Sequence, residues 1–376
     1  MYKILNIISD TNIGGAGTLL LTFLSHFNRE QFEAVVVLPK GSLLLPHIQA
    51  KGIKAIEIDN IADKSFKVAA ISDILHILKD EKPHIVHSHA VLSARVAARM
   101  YRKCKIIHTR HSVYQKQEFG QESKFKKSFL YRGLFGNLNS MLSDIIIATS
   151  PAAKIHMEQT GSKSKKIKMI YNGVEPLEKP NEKERAALRF KYGILPDDFV
   201  CSMVARLEPV KGHEYVIKAA GMLEREEGKN IKFIFAGTGS IELELKQMVA
   251  DLGIKNIIFT GFIENIQEIH KLSDLQINAS FSETSNQALL EGMSIGVPAI
   301  ATDAGGNSYL INDGINGILF DIGDYGSLYK AILELKENKK LYSQLSEKSL
   351  EIFKERFTAE AMVTNIENTY RGLLNG

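Results

Sequence analysis

The stretch "LQINASFSETSNQALLEGMSIGVPAIATD", Leu275 to Asp303, reads as a strand, a turn, a helix and a second strand. "LQINAS" and "VPAIATD" are short apolar runs of strand type, "FSETSN" holds turn residues, and "QALLEGMSIG" follows as a helix. Two strands joined through a helix lie parallel in one sheet. Thr284, Ser285, Asn286 and Gln287 are expected as the first helical turn, whose amides have no partner within the helix. Such amides, at the positive end of the helix dipole, suit an anion such as a diphosphate. Carboxylates do not bind anions. Glu283, on one side of this anion site, is therefore expected on the hydroxyls of a sugar, and Glu291, two turns down, on those of a ribose.

The same alternation extends in both directions. "YKILNII", "EAVVVLP", "KAIEI", "HIVHSHA", "KIIHT" and "DIIIATS" form one series of strands, with "TLLLTFLSHF", "AAISDILHILKD" and "SARVAARMY" as helices between them. "VCSMVAR", "IKFIFAG", "NIIFTG", "LQINAS", "VPAIATD" and "GILF" form a second. Near-continuous apolar strands alternating with helices mean parallel sheets covered on both faces. The expected fold is α/β, with two Rossmann-like, doubly wound domains facing across a cleft. "NGVEPLEKPNEKER", Asn172 to Arg185, is charged, holds two prolines and has no period, as a linker would. The boundaries expected are 1–172 plus 357–376 for the first domain, 173–185 for the linker and 186–356 for the second. The terminal helix "FTAEAMVTNIENTYRGLL" would cross back to the first domain. Ligands of open α/β sheets bind beyond the carboxyl ends of the strands, so facing domains would place a site between them.

Size and composition agree with two domains. At 376 residues the chain exceeds the ~250–300 at which a single core stops growing. No apolar run reaches the ~18–20 residues of a membrane span, and "MYKILNIISD" reads as a strand rather than a signal peptide. Cys104 and Cys201 are far apart in no metal-binding spacing, which points to reduced thiols and a cytoplasmic protein. Residues 1–175 carry 25 Lys/Arg against 14 Asp/Glu, whereas the remainder carries 22 against 29. The basic half is expected to face something anionic, a membrane surface or a phosphorylated substrate; uneven solvation without a partner is the plainer reading.

Other candidate residues fall at strand ends. "NIGGAGTLL" follows the first strand, and Gly15 and Gly17 would let backbone approach a phosphate or sugar. The third glycine of a dinucleotide fingerprint is missing, and the second strand ends in "VLPK" without an acidic residue, which disfavours NAD. His84, His87, His89, His108 and His111 crowd one window. His87 and His89 share a strand face. A metal site lacks a carboxylate or cysteine partner here, so one or two of these histidines are expected to line the cleft, with His84 and His108 structural. In "ARLEPVKGHEYVIKAA", Arg206 ends a strand and Lys211 precedes a helix, a pair fitted to grip a diphosphate. Gly237 and Gly239 of "FAGTGS" are expected to clear room for a flat group, and backbone groups at Phe262 and Ile263 to meet the edge of a nucleobase.

These segments together resemble the family four retaining glycosyltransferases. The likeness runs through "GGAGTLLLTFLSHF", "PHIVHSH", "HTRHS", "IYNGVE", "ARLEPVKG", "AGTGS", "FTGF", "SFSETSNQALLEGMSIGVPAIATDAGG" and "DGINGILF". It implies the GT-B fold, a nucleotide-sugar donor, commonly a UDP-sugar, and no divalent metal; no Asp-x-Asp triplet is present to argue otherwise. It implies that Arg206 and Lys211 grip the donor diphosphate, Glu283 contacts the transferred sugar, Glu291 holds the ribose and His111 sits beside the sugar at the catalytic centre. One departure is Tyr309, where many relatives carry an acidic residue after the double glycine.

The implied reaction transfers a hexose or N-acetylhexosamine with retention, the acceptor hydroxyl giving its proton to the leaving phosphate. The acceptor would be a saccharide or lipid-linked saccharide of cell-surface polysaccharide synthesis. His89, Lys124, Lys126 and Lys127 are assigned to the acceptor side. Arg95 to Arg132 holds eleven Lys/Arg opposed only by Glu118 and Glu122, with Phe119, Phe125, Phe129, Tyr131 and Phe135 interleaved. This suits peripheral contact with an anionic membrane on its inner face, or a lipid-diphosphate acceptor. Nucleic acid is disfavoured because no binding motif accompanies the charge. A nucleotide-sugar epimerase of like architecture, or a non-catalytic scaffold on the same fold, are the alternatives.

Overall fold

The computed structural model describes residues 1–62, 66–110, 137–225, 230–283 and 285–375. They form two units, Met1–Val174 with Ala359–Gly376, and Glu175–Thr358.

The first unit holds β1 (Tyr2–Ile8), β2 (Phe32–Pro39), β3 (Lys54–Ile58), β4 (Ile85–His89), β5 (Lys105–Arg110), β6 (Ile145–Ala148) and β7 (Ile167–Met169), in the order β3-β2-β1-β4-β5-β6-β7. Every adjacent pair is parallel. Alternation along β1 explains why both faces are covered. Ile4 and Ile8 pack with Leu20, Phe23 and Tyr370, whereas Leu5 and Ile7 pack with Ile74, Leu78 and Ala94. Burying each such side chain contributes roughly 1.5–3 kcal/mol, so a one-residue slip that moved the whole set to the other face is strongly disfavoured. The C-terminal helix Ala359–Leu374 belongs to this unit and buries Met362, Val363, Ile366 and Tyr370 in it.

The second unit holds β8 (Phe199–Val204), β9 (Ile231–Ala236), β10 (Ile257–Gly261), β11 (Leu275–Asn278), β12 (Ala299–Thr302) and β13 (Gly317–Phe320), in the order β10-β9-β8-β11-β12-β13, again all parallel. Each unit reverses its strand order once, at β1/β4 and at β8/β11. Loops leaving the carboxyl ends of those strand pairs diverge and leave a crevice, where Rossmann-like sheets bind ligands.

Three local expectations differ from what forms. The segment expected as a linker, 173–185, is helical from Glu182, in the helix Glu182–Lys191. Asn181 caps that helix by accepting from the Glu184 amide at 2.9 Å, and Glu182 and Glu184 complement the dipole of its first turn. The buried Arg189 then ties the helix to the sheet, donating to Leu272 O, Pro196 O, Asp198 O and the Asp274 carboxylate. The second difference is β7, three residues long and therefore without a readable alternation. The third is the start of the helix after β11. It runs Gln287–Met293 with Asn286 as its cap, so Ser285 and Asn286 precede the first turn instead of forming it. Thr284 lies outside the described residues.

Candidate functional site

Lys211, Glu283 and Gly306 come from loops after β8, β11 and β12 and meet at the switch point of the second unit. Lys211 ends a single 3-10 turn, Pro209–Lys211, and Gly212 follows with φ +70°. A Cβ on Gly212 would stand 2.2 Å from Ala279 O, so only glycine lets the β8 loop lie against the end of β11. A backbone bond from Phe281 N to Val210 O, 2.9 Å, holds the two loops together. Lys211 Nζ consequently reaches Glu283 Oε1 at 2.6 Å, with the side chains 18% and 10% exposed.

The same oxygen accepts from Ser280 Oγ at 2.8 Å and from Asn278 Nδ2 at 3.3 Å. Glu283 O accepts from Gly306 N at 2.7 Å, which anchors this residue to the glycine turn after β12. Beneath lies a buried polar network. Asn307 Nδ2 donates to Asn278 Oδ1 and Thr302 Oγ1, and the Thr302 hydroxyl donates to Ser280 O. A buried network with this many partners rigidifies what it carries. Glu283 is thus pinned through one oxygen, and among the described residues Oε2 has no protein partner. Sequence reasoning did not find Asn278, Ser280 and Asn307; their signal is the unusual polarity of a buried strand end.

Arg206, five residues before Lys211 in the loop after β8, is exposed, and no side-chain hydrogen bond or ion pair of Arg206 occurs among the described residues. The neighbouring Glu208 accepts from Ser240 N and Oγ, at 3.2 and 2.7 Å, and these bonds hold its carboxyl below the usual range. Leu207 N donates to Thr238 O at 2.9 Å. The "ARLE" and "GTGS" loops are therefore laced together, and this accounts for two glycines. A Cβ on Gly237 would lie 2.2 Å from Ala205 O, and one on Gly239 2.1 Å from Leu207 O. The room they clear is taken by the chain's own carbonyls. Phe262 is 77% exposed after Gly261, and Ile263 packs against the core below it.

His213, directly after Gly212, is fully buried edge-on against Phe235, ring centroids 5.2 Å apart. Neither ring nitrogen has a partner among the described residues. Burial, assisted by the Lys211 charge, pushes its pKa down to about 3.

On the helix Gln287–Met293 the Leu289 amide is taken by Asn286 Oδ1 at 3.2 Å. The Gln287 and Ala288 amides remain without a partner inside the helix, as its geometry requires. Gly292 lies on the buried Gln276, whose side chain would be 2.1 Å from a Cβ there. That contact sets the backbone next to Glu291. Glu291 Oε2 lies 3.0 Å from Nε2 of the fully buried His270.

In the first unit Gly15 opens the helix Gly15–His26 and is exposed, whereas Gly17 is buried with Leu44 only 2.9 Å from where its Cβ would be. His87 and His89 stack at 4.5 Å. His87 bonds Tyr370 OH at 2.7 Å and Thr109 Oγ1 at 2.6 Å, and His89 Nε2 lies 3.4 Å from Asn6 Oδ1. His84 Nδ1 accepts from Lys3 N, and the buried His108 faces Ser88 O. A cavity of about 30 Å³ beside His87, His89 and Thr109 has room for a water. His111, Lys124, Lys126 and Lys127, with the aromatics among them, lie outside the described residues. No cluster of three or more potential metal ligands occurs among the described residues, and no helix there is long and apolar enough to cross a membrane.

Two family models match the chain in succession, Glycosyltransferase Family 4 over residues 13–177 and Glycosyl transferases group 1 over residues 184–351. EpsD of Bacillus subtilis (strain 168) is 28% identical over 91% of each chain. The UDP-Gal:alpha-D-GlcNAc-diphosphoundecaprenol alpha-1,3-galactosyltransferase of Escherichia coli is 27% identical, over 72% of this chain and 71% of that one. Among solved structures, Anabaena Alr3699/HepE in complex with UDP-glucose superposes with a TM-score of 0.84 at 21% identity, covering 99% of this chain and 100% of that one. At that identity the likeness concerns the fold, which is GT-B.

Proposed function

The chain belongs to the family 4 glycosyltransferases, and from that premise we propose that it moves a hexose or N-acetylhexosamine from a UDP-sugar to a saccharide or lipid-linked acceptor of cell-surface polysaccharide synthesis, with retention at the anomeric carbon and no divalent metal. The observation that carries this reading is the Glu283 carboxylate pinned on Lys211 at the switch point of the second unit, with Arg206 exposed in the same loop after β8 as Lys211. The UDP-glucose complex of HepE and the diphosphoundecaprenol substrate in the name of the E. coli relative support the donor and acceptor classes.

Lys211 keeps two further N–H donors beyond the one given to Glu283, and Arg206 offers its whole guanidinium. Both cations, with the Gln287 and Ala288 amides, would meet the charge that develops on the departing diphosphate, which is where preorganised donors lower a barrier most. Glu283 Oε2 would take a sugar hydroxyl and orient the anomeric carbon. The acceptor oxygen bonds that carbon on the face the diphosphate leaves, the bond to the phosphate oxygen breaks, and the hydroxyl proton passes to that oxygen. His111 would lie beside the sugar, and Phe262 and Ile263 would meet the base. His89, Lys124, Lys126 and Lys127 would serve the acceptor, the lysines at an anionic membrane surface.

Thermal melts with UDP-, GDP-, ADP- and TDP-sugars, chelator present throughout, test the donor. Ligand at about 100 times its Kd stabilises by about 2.7 kcal/mol, so a shift of several degrees with one UDP-sugar is expected. A shift only on adding metal, or with none of the sugars, overturns the reading. The membrane role predicts co-sedimentation with anionic liposomes that weakens when Lys124, Lys126 and Lys127 are neutralised together; unchanged binding counts against it.

A further inference from the structure

We infer that His270 is a positioning residue for the nucleotide: it fixes the Glu291 carboxylate as a ribose-hydroxyl acceptor, so that discrimination for the ribose depends on a side chain that never touches it. The inference rests on the reading of Glu291 as the ribose-binding residue.

His270 occupies the short helix Gln267–Leu272 between Ile269 and Leu272, both buried, at a position where an aliphatic side chain would pack without leaving polar atoms unsatisfied. It is 0% exposed, and its Nδ1 has no partner among the described residues. Burying an unsatisfied nitrogen costs free energy, and the contact at the other nitrogen is what the ring provides in return. A carboxylate only accepts, so Nε2 carries the proton and donates to Glu291 Oε2 at 3.0 Å.

The partners differ in rigidity. His270 is locked by packing on all sides, whereas Glu291 has three side-chain torsions and is 24% exposed. Unrestrained, it would lose rotamer entropy on meeting a ligand. The His270 bond removes that freedom beforehand and occupies one oxygen, and Oε1 has no protein partner among the described residues. The Gly292–Gln276 contact and the Ser294 Oγ bond to Glu291 O hold the backbone on the same side. A fixed carboxylate with one oxygen left open suits a diol.

Calorimetric titration of the full chain with UDP and with 2′,3′-dideoxy-UDP provides the test. The unaltered protein is expected to prefer UDP by roughly tenfold or more, the size of a hydrogen bond to a charged group. Glu291→Ala should bring the two ligands to within about twofold. His270→Phe and His270→Leu, which remove the donor with side chains of different shape, should collapse the preference similarly, while His270→Gln, which restores an N–H near the same place, should retain most of it. If Glu291→Ala abolishes the preference and the folded apolar His270 variant keeps it, the inference is overturned and the ribose reading stands. If Glu291→Ala keeps it, or the unaltered chain binds neither ligand, the ribose reading itself falls. Equal loss in His270→Gln and the apolar variants would make the role one of packing and also overturn the inference.

Discussion

Lys211 and Glu283, 72 residues apart in the chain, are joined at 2.6 Å, and the glutamate oxygen in that pair also accepts from Ser280 and Asn278. The lysine and the glutamate therefore form one unit. Moving either perturbs the other.

Arg206→Ala and Lys211→Ala should each lower turnover by about 10²–10³, in the range found when one preorganised donor is removed. Arg206→Ala should leave the melting temperature unchanged because the side chain is exposed. Steady-state rates with a UDP-sugar and circular dichroism melts decide the matter; near-native rates for both variants would remove the diphosphate role.

Glu283→Gln keeps the shape and leaves Lys211 half-buried without its counter-charge. A loss of about 1–3 kcal/mol in urea unfolding is expected, and adding Lys211→Met should recover part of it. Strict additivity of the two changes would show that the pair is not coupled.

His213 makes the second unit acid-sensitive. Its folded pKa of about 3 lies below the ordinary value of 6.5, so the unfolded chain binds the extra proton and stability falls as pH drops below about 6.5. Between pH 7 and pH 5 the protein should lose about 2 kcal/mol more than His213→Phe does, measured by urea unfolding at both pH values. Parallel losses in the two proteins would show that His213 does not titrate differently on unfolding.

Gly239→Ala should destabilise by about 2 kcal/mol or more, since its Cβ would press on Leu207 O within the site. Gly372→Ala, in the C-terminal helix with nothing within 4 Å of the new atom, should be neutral or stabilise by up to about 1 kcal/mol. Equal melting temperatures for the two variants would sink the steric account of Gly239.

Much of the fold is legible because its signals are local. The strands "YKILNII", "IKFIFAG" and "GILF" lie where their apolar runs stand, and the helices between them keep their periods. Where local reading stopped short, stronger local chemistry had been passed over. Asn286 is a better cap than Glu283 or Thr284, so the helix begins at Gln287, and the "NEKE" run at Asn181 to Glu184 is itself a helix start inside the segment expected to be a linker.

By itself, the sequence determined two parallel α/β units, the strand ends after which Arg206, Lys211 and Glu283 follow, the helix that carries Glu291, and the family they resemble, because periodicity, turn residues and motif spacing act over a few residues. Only the tertiary structure decided that Lys211 and Glu283 share one contact, that Gly237 and Gly239 make way for carbonyls of the chain itself, that His87 is held by Tyr370 from the far end of the chain, and that His270 stands behind Glu291. Each of these joins loops or helices distant in sequence. Their distances follow from strand order and from side chains filling a shared interior, and neither is written in any single stretch.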